Sequence, residues 1–229
     1  RCEDFGDLLN ETEEELRQNG VPQTELPQLK DASLWMKQFV TPDSPDVILE
    51  EGNTISNGSS EFEVLWTPGH SPGHICLYEP RKRLLFSGDH VLYDTTPHVG
   101  FHPQSGVNPL GDYISSLEKL DRLRVNFILP GHGPTFNSLK LRVAQILYHH
   151  EQRKRNIIRA LSDGLKTAYQ IAERLLWVPE QGGVAFRDLA PWNKRLAVME
   201  TIAHLKLLAA EGKVGNVDMD GASLYLTKD

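Results

Sequence analysis

At 229 residues, with 39% apolar content, the chain is long enough to bury a sizeable core and suits one domain of ordinary size plus a small one. It holds no run of about eighteen uncharged apolar residues and no basic start leading into an apolar stretch and a cleavage site, so neither a membrane span nor an export signal is read. Of the formal charge of −7, residues 1–148 carry −9, with 12 Lys and Arg against 21 Asp and Glu, and a body of that sign repels a phosphate backbone.

In chain order, Asp4 to Gln18 is rich in Glu and Leu and closes at Asn19-Gly20, the pattern of an acidic surface helix with a glycine stop. Residues 31–40 predict a second short helix before the Pro42/Pro45 loop. From Asp46 the pattern turns to strands: Val47-Ile-Leu49, then Thr54-Ile55, a turn at Asn57-Gly58, and the alternating run Glu61 to Trp66. Thr67-Pro-Gly stops that run, because proline has no ladder donor and glycine accepts special dihedrals. The loop that follows, to His74, is rigid, and it presents His70 at a strand's C-terminal end.

His74 to Tyr78 and Leu84 to Ser87 predict a hairpin around Pro80–Arg83, and the second arm ends in Gly88-Asp89. Cys76 reads as a small core residue; with Cys2 as its only companion there is no disulfide framework, and a reduced, cytoplasmic chain is expected. The stretch from Tyr93 to Pro103, with His98 and His102, is too long and too broken by Pro and Gly for regular structure. Leu110, Tyr113, Ile114, Leu117, Leu120 and Leu123 form a helical stripe. A third strand-like run from Val125 ends in Pro130-Gly-His132, and a helix from about Ser138 leads to His149-His150, read as a surface pair.

The tail predicts three helices and a hairpin. Thr167 to Gln170 is a capping box opening a helix over 168–176, Asn193 caps a helix to Ala210, Gly212 stops it, and Val217 to Leu226 turns at Asp220-Gly221. His204 reads as structural.

Each histidine or aspartate motif alone is ordinary, since Pro/Gly turns commonly hold such residues by local hydrogen bonds. Together they are not. Three strand ends deliver His, Asp and His, a donor set suited to a borderline-soft divalent ion, and ligands drawn from separate strand ends leave positions open for water and substrate.

The order TPGHSPGH, then a strand ending SGDH, then ILPGHG resembles the second half of the metallo-β-lactamase-fold hydrolases, from about Val47 to the C-terminus. The resemblance implies an α+β chain: an αββα sandwich over 1–148, N-terminally incomplete and with a helical insertion near 4–40, then a small helical winged-helix-like domain over 149–229. It implies His70 and His132 as metal ligands and Asp89 as the bridging, catalytic carboxylate, with two divalent ions, zinc first and iron or manganese as alternatives. His74 and His90 then support the ligands without touching metal. By the same analogy Leu34, Trp35, Met36 and Phe39 line a substrate pocket or pack as core, and His98 and His102 touch substrate or stay solvated.

The family's first metal motif, H-x-H-x-D-H, belongs upstream, yet residues 1–62 contain no histidine. Three ligands cannot complete two coordination spheres, so metal occupancy is expected to stay well under two equivalents. The opening Arg1-Cys-Glu-Asp, without methionine, favours a piece of a longer protein over a degenerate, non-catalytic relative. The implied reaction is attack by metal-bound hydroxide on a small ester, a thioester or a phosphodiester. The competing reading is a winged-helix nucleic-acid binder, but helix 193–210 offers only Lys194, Arg195 and Lys206 against Glu200 and Glu211. The hydrolase reading leads, with the tail as a packing or homodimerisation module.

Overall fold

The runs ending before His70, Asp89 and His132 are strands of one sheet in the computed structural model, which describes residues 5–37, 39, 41, 43–178 and 182–228, the side chains at 5, 32, 33 and 35–37 excepted. Strands β1 (Thr54–Ser56), β2 (Glu61–Trp66), β3 (Ile75–Glu79), β4 (Leu84–Gly88) and β5 (Phe127–Pro130) lie in that order. The first three pairings are antiparallel, and β4 pairs with β5 in parallel. A parallel pair needs a crossover, supplied here by helix α3 (Pro109–Asp121), whose N-terminus Asn108 caps by accepting from the Gly111 N–H at 3.1 Å. Two antiparallel steps followed by a parallel one make β2, β4 and β5 run the same way. Their C-terminal ends therefore share one edge of the sheet, and β3 starts at that edge.

The two faces of the sheet differ. Leu65, Cys76, Tyr78, Leu85, Ser87 and Ile128 point to one side and are buried, together with Leu110, Tyr113, Leu117 and Leu120 of α3 and Val143 and Ile146 of helix α4 (Leu139–Ala160). On the other side Trp66, Phe86 and Phe127 are 49%, 37% and 56% exposed, and Phe86 meets the half-buried Phe62 edge-on at 5.6 Å between ring centroids. An apolar strand pattern on both faces is that of a sheet covered on both sides, and among the described residues helices cover one of them. Adjacent residues of β4 should therefore respond differently to truncation. Leu85→Ala is expected to cost about 2–5 kcal/mol in urea unfolding, and Phe86→Ala below about 1.5 kcal/mol.

Contacts divide the chain into two units, Pro45–Val99 with Asn108–Gln152, and Arg1–Ser44 with Gly100–Val107 and Arg153–Asp229. The first holds the sheet. The second comprises α1 (Phe5–Gln18), α2 (Leu26–Lys37), the end of α4, α5 (Ala168–Ala172), the short pair β6 (Leu176–Trp177) and β7 (Val184–Ala185), α6 (Pro191–Ala210), and the hairpin β8 (Val214–Met219) and β9 (Ala222–Thr227). Leu16, Val21, Leu26 and Leu29 share one buried cluster with Ile171, Trp177, Ile202, Leu205 and Tyr225. The helices over 4–40, expected as an insertion beside the sheet, thus group with the tail, because their apolar stripes find their partners there.

Other boundaries also shift. Val47-Ile-Leu49 forms no strand, and Val47 and Ile48 are 69% and 80% exposed, because the ladder edge of β2 is taken by Thr54–Ser56. Helix α2 begins at Leu26, where Leu26 and Leu29 are each 2% exposed. Helix α4 runs without a break through the expected boundary at 148/149. The capping box is present, with the Gln170 N–H donating to Thr167 Oγ1 at 3.2 Å and the Thr167 N–H to Gln170 Oε1 at 3.0 Å, but α5 stops at Ala172 as the chain turns into β6. Asn193 is not the cap of α6: Pro191 opens that helix after Ala190, with no side-chain cap, its fixed φ suiting a first helical position. The hairpin turns at Asp220-Gly221 as expected, both with positive φ.

Candidate metal centre

His70, Asp89 and His132 meet at the shared strand edge. His70 Nε2 lies 3.8 Å from Asp89 Oδ2, and His132 Nε2 lies 3.5 Å from Asp89 Oδ1. Both separations exceed a hydrogen bond. Two donors about 2.0–2.2 Å from one tetrahedral zinc stand about 3.3–3.6 Å apart, so the His132 pair already has the spacing of atoms sharing an ion, and the His70 pair is slightly wider. Asp89 Oδ1 is buried and has no hydrogen-bond partner among the described residues. A buried carboxylate oxygen without a donor is costly, and a cation is the simplest group to satisfy it.

The backbone forces this arrangement. The β4–β5 register shifts between Phe86 and Gly88, and Gly88 has φ +50, a conformation that ends the strand and turns Asp89 over the edge. A Cβ at Gly88 would stand 2.5 Å from His74 Nε2, and one at Gly131 would stand 2.6 Å from Asp89 Oδ1. Both glycines therefore allow backbone to approach the acid and its neighbour closely. The Gly131 N–H also donates to the Gly88 carbonyl at 2.8 Å, tying the two strand ends together.

His70 is oriented from behind. Its Nδ1 lies 2.9 Å from the carbonyl oxygen of His98, which can only accept, so Nδ1 carries a proton and Nε2 faces Asp89. His98 thus reaches the site through its main chain. His102 falls in the helical unit, where its N–H donates to Ser105 Oγ at 3.0 Å. Trp35 and Met36 lie on α2 with side chains outside the described set, while Leu34 and Phe39 are 43% and 64% exposed and so are not core.

His74, immediately before β3, meets Asp89 through the main chain: its Nε2 accepts from the Asp89 N–H at 3.2 Å, and its Nδ1 lies 2.8 Å from Thr67 Oγ1. Burial, with His70 nearby, holds its pKa down to about 4. His90 is fully buried, its ring 4.5 Å from Tyr113 and 5.4 Å from His74 between centroids, with both ring nitrogens unpartnered among the described residues. Burial lowers its pKa to about 3. His150, read as a surface residue, is 2% exposed, because α4 turns it toward Tyr113 at 5.6 Å. Thr67 was not singled out in the sequence; its place at the stop of β2, opposite the start of β3, was the available signal.

Among the described residues no group of three or more His, Cys, Asp or Glu gathers closely enough around one point to hold an ion. The three side chains instead lie as a bridge would need, each carboxylate oxygen facing one imidazole, an arrangement that would supply two donors to each of two positions. In the other unit, the cations of α6 are engaged: Lys194 lies 3.8 Å from Glu25, Lys206 stands 3.8 Å over the Phe101 ring, and the Arg195 guanidinium lies 5.4 Å from the centroid of the Trp192 ring. His204 is fully buried, with Nδ1 donating to the Glu200 carbonyl at 2.8 Å. No helix among the described residues is long and apolar enough to cross a membrane.

A family model described as the metallo-beta-lactamase superfamily matches residues 8–132, more than half of the chain. Beta-lactamase-like protein 2 homolog of Caenorhabditis elegans is 27% identical over 213 residues, covering 92% of this chain and 63% of that protein. Acyl-coenzyme A thioesterase MBLAC2 of Homo sapiens is 39% identical over 101 residues, covering 42% of this chain and 34% of that protein. The crystal structure of a metallo-beta-lactamase family protein from Thermus thermophilus aligns with a TM-score of 0.78 at 26% identity, over 98% of this chain and 66% of that one. The chain therefore spans between about one third and two thirds of the length of these relatives.

Proposed function

The chain belongs to the metallo-β-lactamase superfamily, and on that footing we propose that it is part of a metal-dependent hydrolase acting on a thioester. The observation that carries this reading is the Asp89 carboxylate, with one buried, unpartnered oxygen, set between the imidazoles of His70 and His132. His70 would hold one divalent ion, His132 the other, and Asp89 both; zinc suits imidazole and carboxylate together, with iron or manganese as alternatives. A bound ion of this kind supplies a water whose pKa falls from about 15.7 to about 7 and polarises the carbonyl under attack. The remaining coordination positions would be filled by groups other than these three.

The chain's own part is positional. The His98 carbonyl keeps the His70 proton on Nδ1, the Gly88 turn and His74 fix the Asp89 backbone, and His132, with a side chain 78% exposed, leaves its side of the site open to substrate. Support for a thioester comes from the human relative's name and from the leaving group: a thiol of pKa about 8.5 departs as thiolate without a proton donor. Two imidazoles and a carboxylate with the groups that orient them support such a reaction.

The test is hydrolysis of an acyl-coenzyme A, p-nitrophenyl acetate and bis(p-nitrophenyl) phosphate by the zinc-loaded protein. A kcat/KM for the thioester at least about tenfold above the others, worth about 1.4 kcal/mol of transition-state binding, is expected. Turnover of the phosphodiester alone would overturn the substrate class, and zinc uptake with no turnover of any of the three would overturn the hydrolase. The arrangement α5, α6 and a terminal hairpin supports a winged-helix-like tail. With its α6 cations engaged inside the unit, we assign that tail no nucleic-acid partner.

A further inference from the structure

A directed line of hydrogen bonds lies behind the candidate metal ligands. An amide N–H can only donate, so the Asp89 N–H at 3.2 Å requires His74 Nε2 to be bare, and the ring proton sits on Nδ1. Nδ1–H then donates to Thr67 Oγ1 at 2.8 Å. With that lone pair used, the Thr67 hydroxyl donates to Cys76 Sγ at 3.4 Å, and the Cys76 thiol points at the Ser87 carbonyl at 3.6 Å. Thr67, Cys76 and Ser87 are fully buried, so water cannot replace a lost member. The three residues stand at the stop of β2, within β3 and near the end of β4, and the line stitches together the strands that carry His70 and Asp89.

We propose that Thr67 is a positioning residue for the candidate metal centre, its hydroxyl accepting from the His74 Nδ1–H and so holding the ring whose Nε2 grips the Asp89 main chain and thereby aims the Asp89 carboxylate. The opposite tautomer would set an Nε2–H against the Asp89 N–H, donor to donor. Valine keeps the shape of threonine but offers no acceptor, so it would leave the buried Nδ1–H unpaired and the ring free to tilt away from the Asp89 N–H. The consequence for metal rests on the reading of Asp89 as a ligand; the tautomer and the grip on its backbone rest on the hydrogen bonds alone.

The experiment compares wild type, Thr67→Val and Thr67→Ser in the whole chain. Long-range proton–nitrogen spectra of His74 in the wild type should show the proton on Nδ1, a result that needs no variant. Thr67→Val should speed exchange of the Asp89 amide by about tenfold or more and weaken zinc binding, measured by competition with a chromophoric chelator, by about 10- to 100-fold, while Thr67→Ser stays within about threefold of wild type on both. A wild-type proton on Nε2, or a Thr67→Val protein with unchanged amide exchange, overturns the proposal. If the wild type takes up no zinc at all, the metal reading of Asp89 fails, and the tautomer and exchange measurements still decide the role of Thr67.

Discussion

Relative to protein with both metal positions filled, Asp89→Ala is expected to abolish thioester hydrolysis, lowering kcat/KM by about a thousandfold or more, the equivalent of at least about 4 kcal/mol of transition-state stabilisation. The reason is geometric. Among the described residues Asp89 is the one side chain that faces both imidazoles, Oδ2 toward His70 and Oδ1 toward His132, so its loss removes a donor and a negative charge from both positions at once. His74→Ala should be milder, about 10- to 100-fold, since the ring touches the Asp89 main chain and Thr67 without facing the shared position. Assaying both variants with metal content measured alongside separates a lost ligand from a lost support. Equal loss of activity and metal in His74→Ala would instead make that ring a ligand.

The second large effect is on stability in acid. His90 is fully buried with both ring nitrogens unpartnered among the described residues, and burial lowers its pKa to about 3, against about 6.5 when exposed. Because the folded value is the lower one, the unfolded chain binds the extra proton as pH falls below about 6.5. The stabilising contribution is therefore complete above about pH 6.5 and is lost progressively toward the folded pKa. For one such group the loss between pH 6.5 and 4 is on the order of 3 kcal/mol. His74, depressed to about 4 mainly by burial, acts in the same direction, discounted for its partial exposure. Urea unfolding at about pH 7.5, 5.5 and 4.5 should show this fall, and His90→Met, which fills the space next to Tyr113 with a group that does not titrate, should flatten it. An unchanged slope in His90→Met would mean that the acid sensitivity lies elsewhere.

The strand ends were legible because proline and glycine announce where a ladder stops, and the order of β2, β3, β4 and β5 then brings three of those stops to one edge. The supporting role expected of His74 came from the family resemblance, and its ring lies against the Asp89 main chain and Thr67. Other features depend on partners distant in sequence, which local pattern cannot supply. Val47-Ile-Leu49 has strand propensity but no free ladder beside it, and the helices over 4–40 carry apolar stripes whose partners, Ile171, Ile202 and Leu205, lie far downstream in the tail. His150 was misread because a histidine pair near a helix end says nothing about which of the two turns inward; α4 continues past it and buries the second. Thr67 was hidden for a related reason. It looks like the first residue of a Pro/Gly loop, and only the folded hairpin brings its hydroxyl to His74 and Cys76.

If Asp89 bridges two metal positions, zinc titration of the wild type, Asp89→Ala, His70→Ala and His132→Ala, with bound zinc counted by elemental analysis, will separate the three side chains. The arrangement predicts that each histidine variant weakens one position while Asp89→Ala weakens both, with affinity down by at least about tenfold throughout. Wild-type zinc binding retained in Asp89→Ala would contradict it.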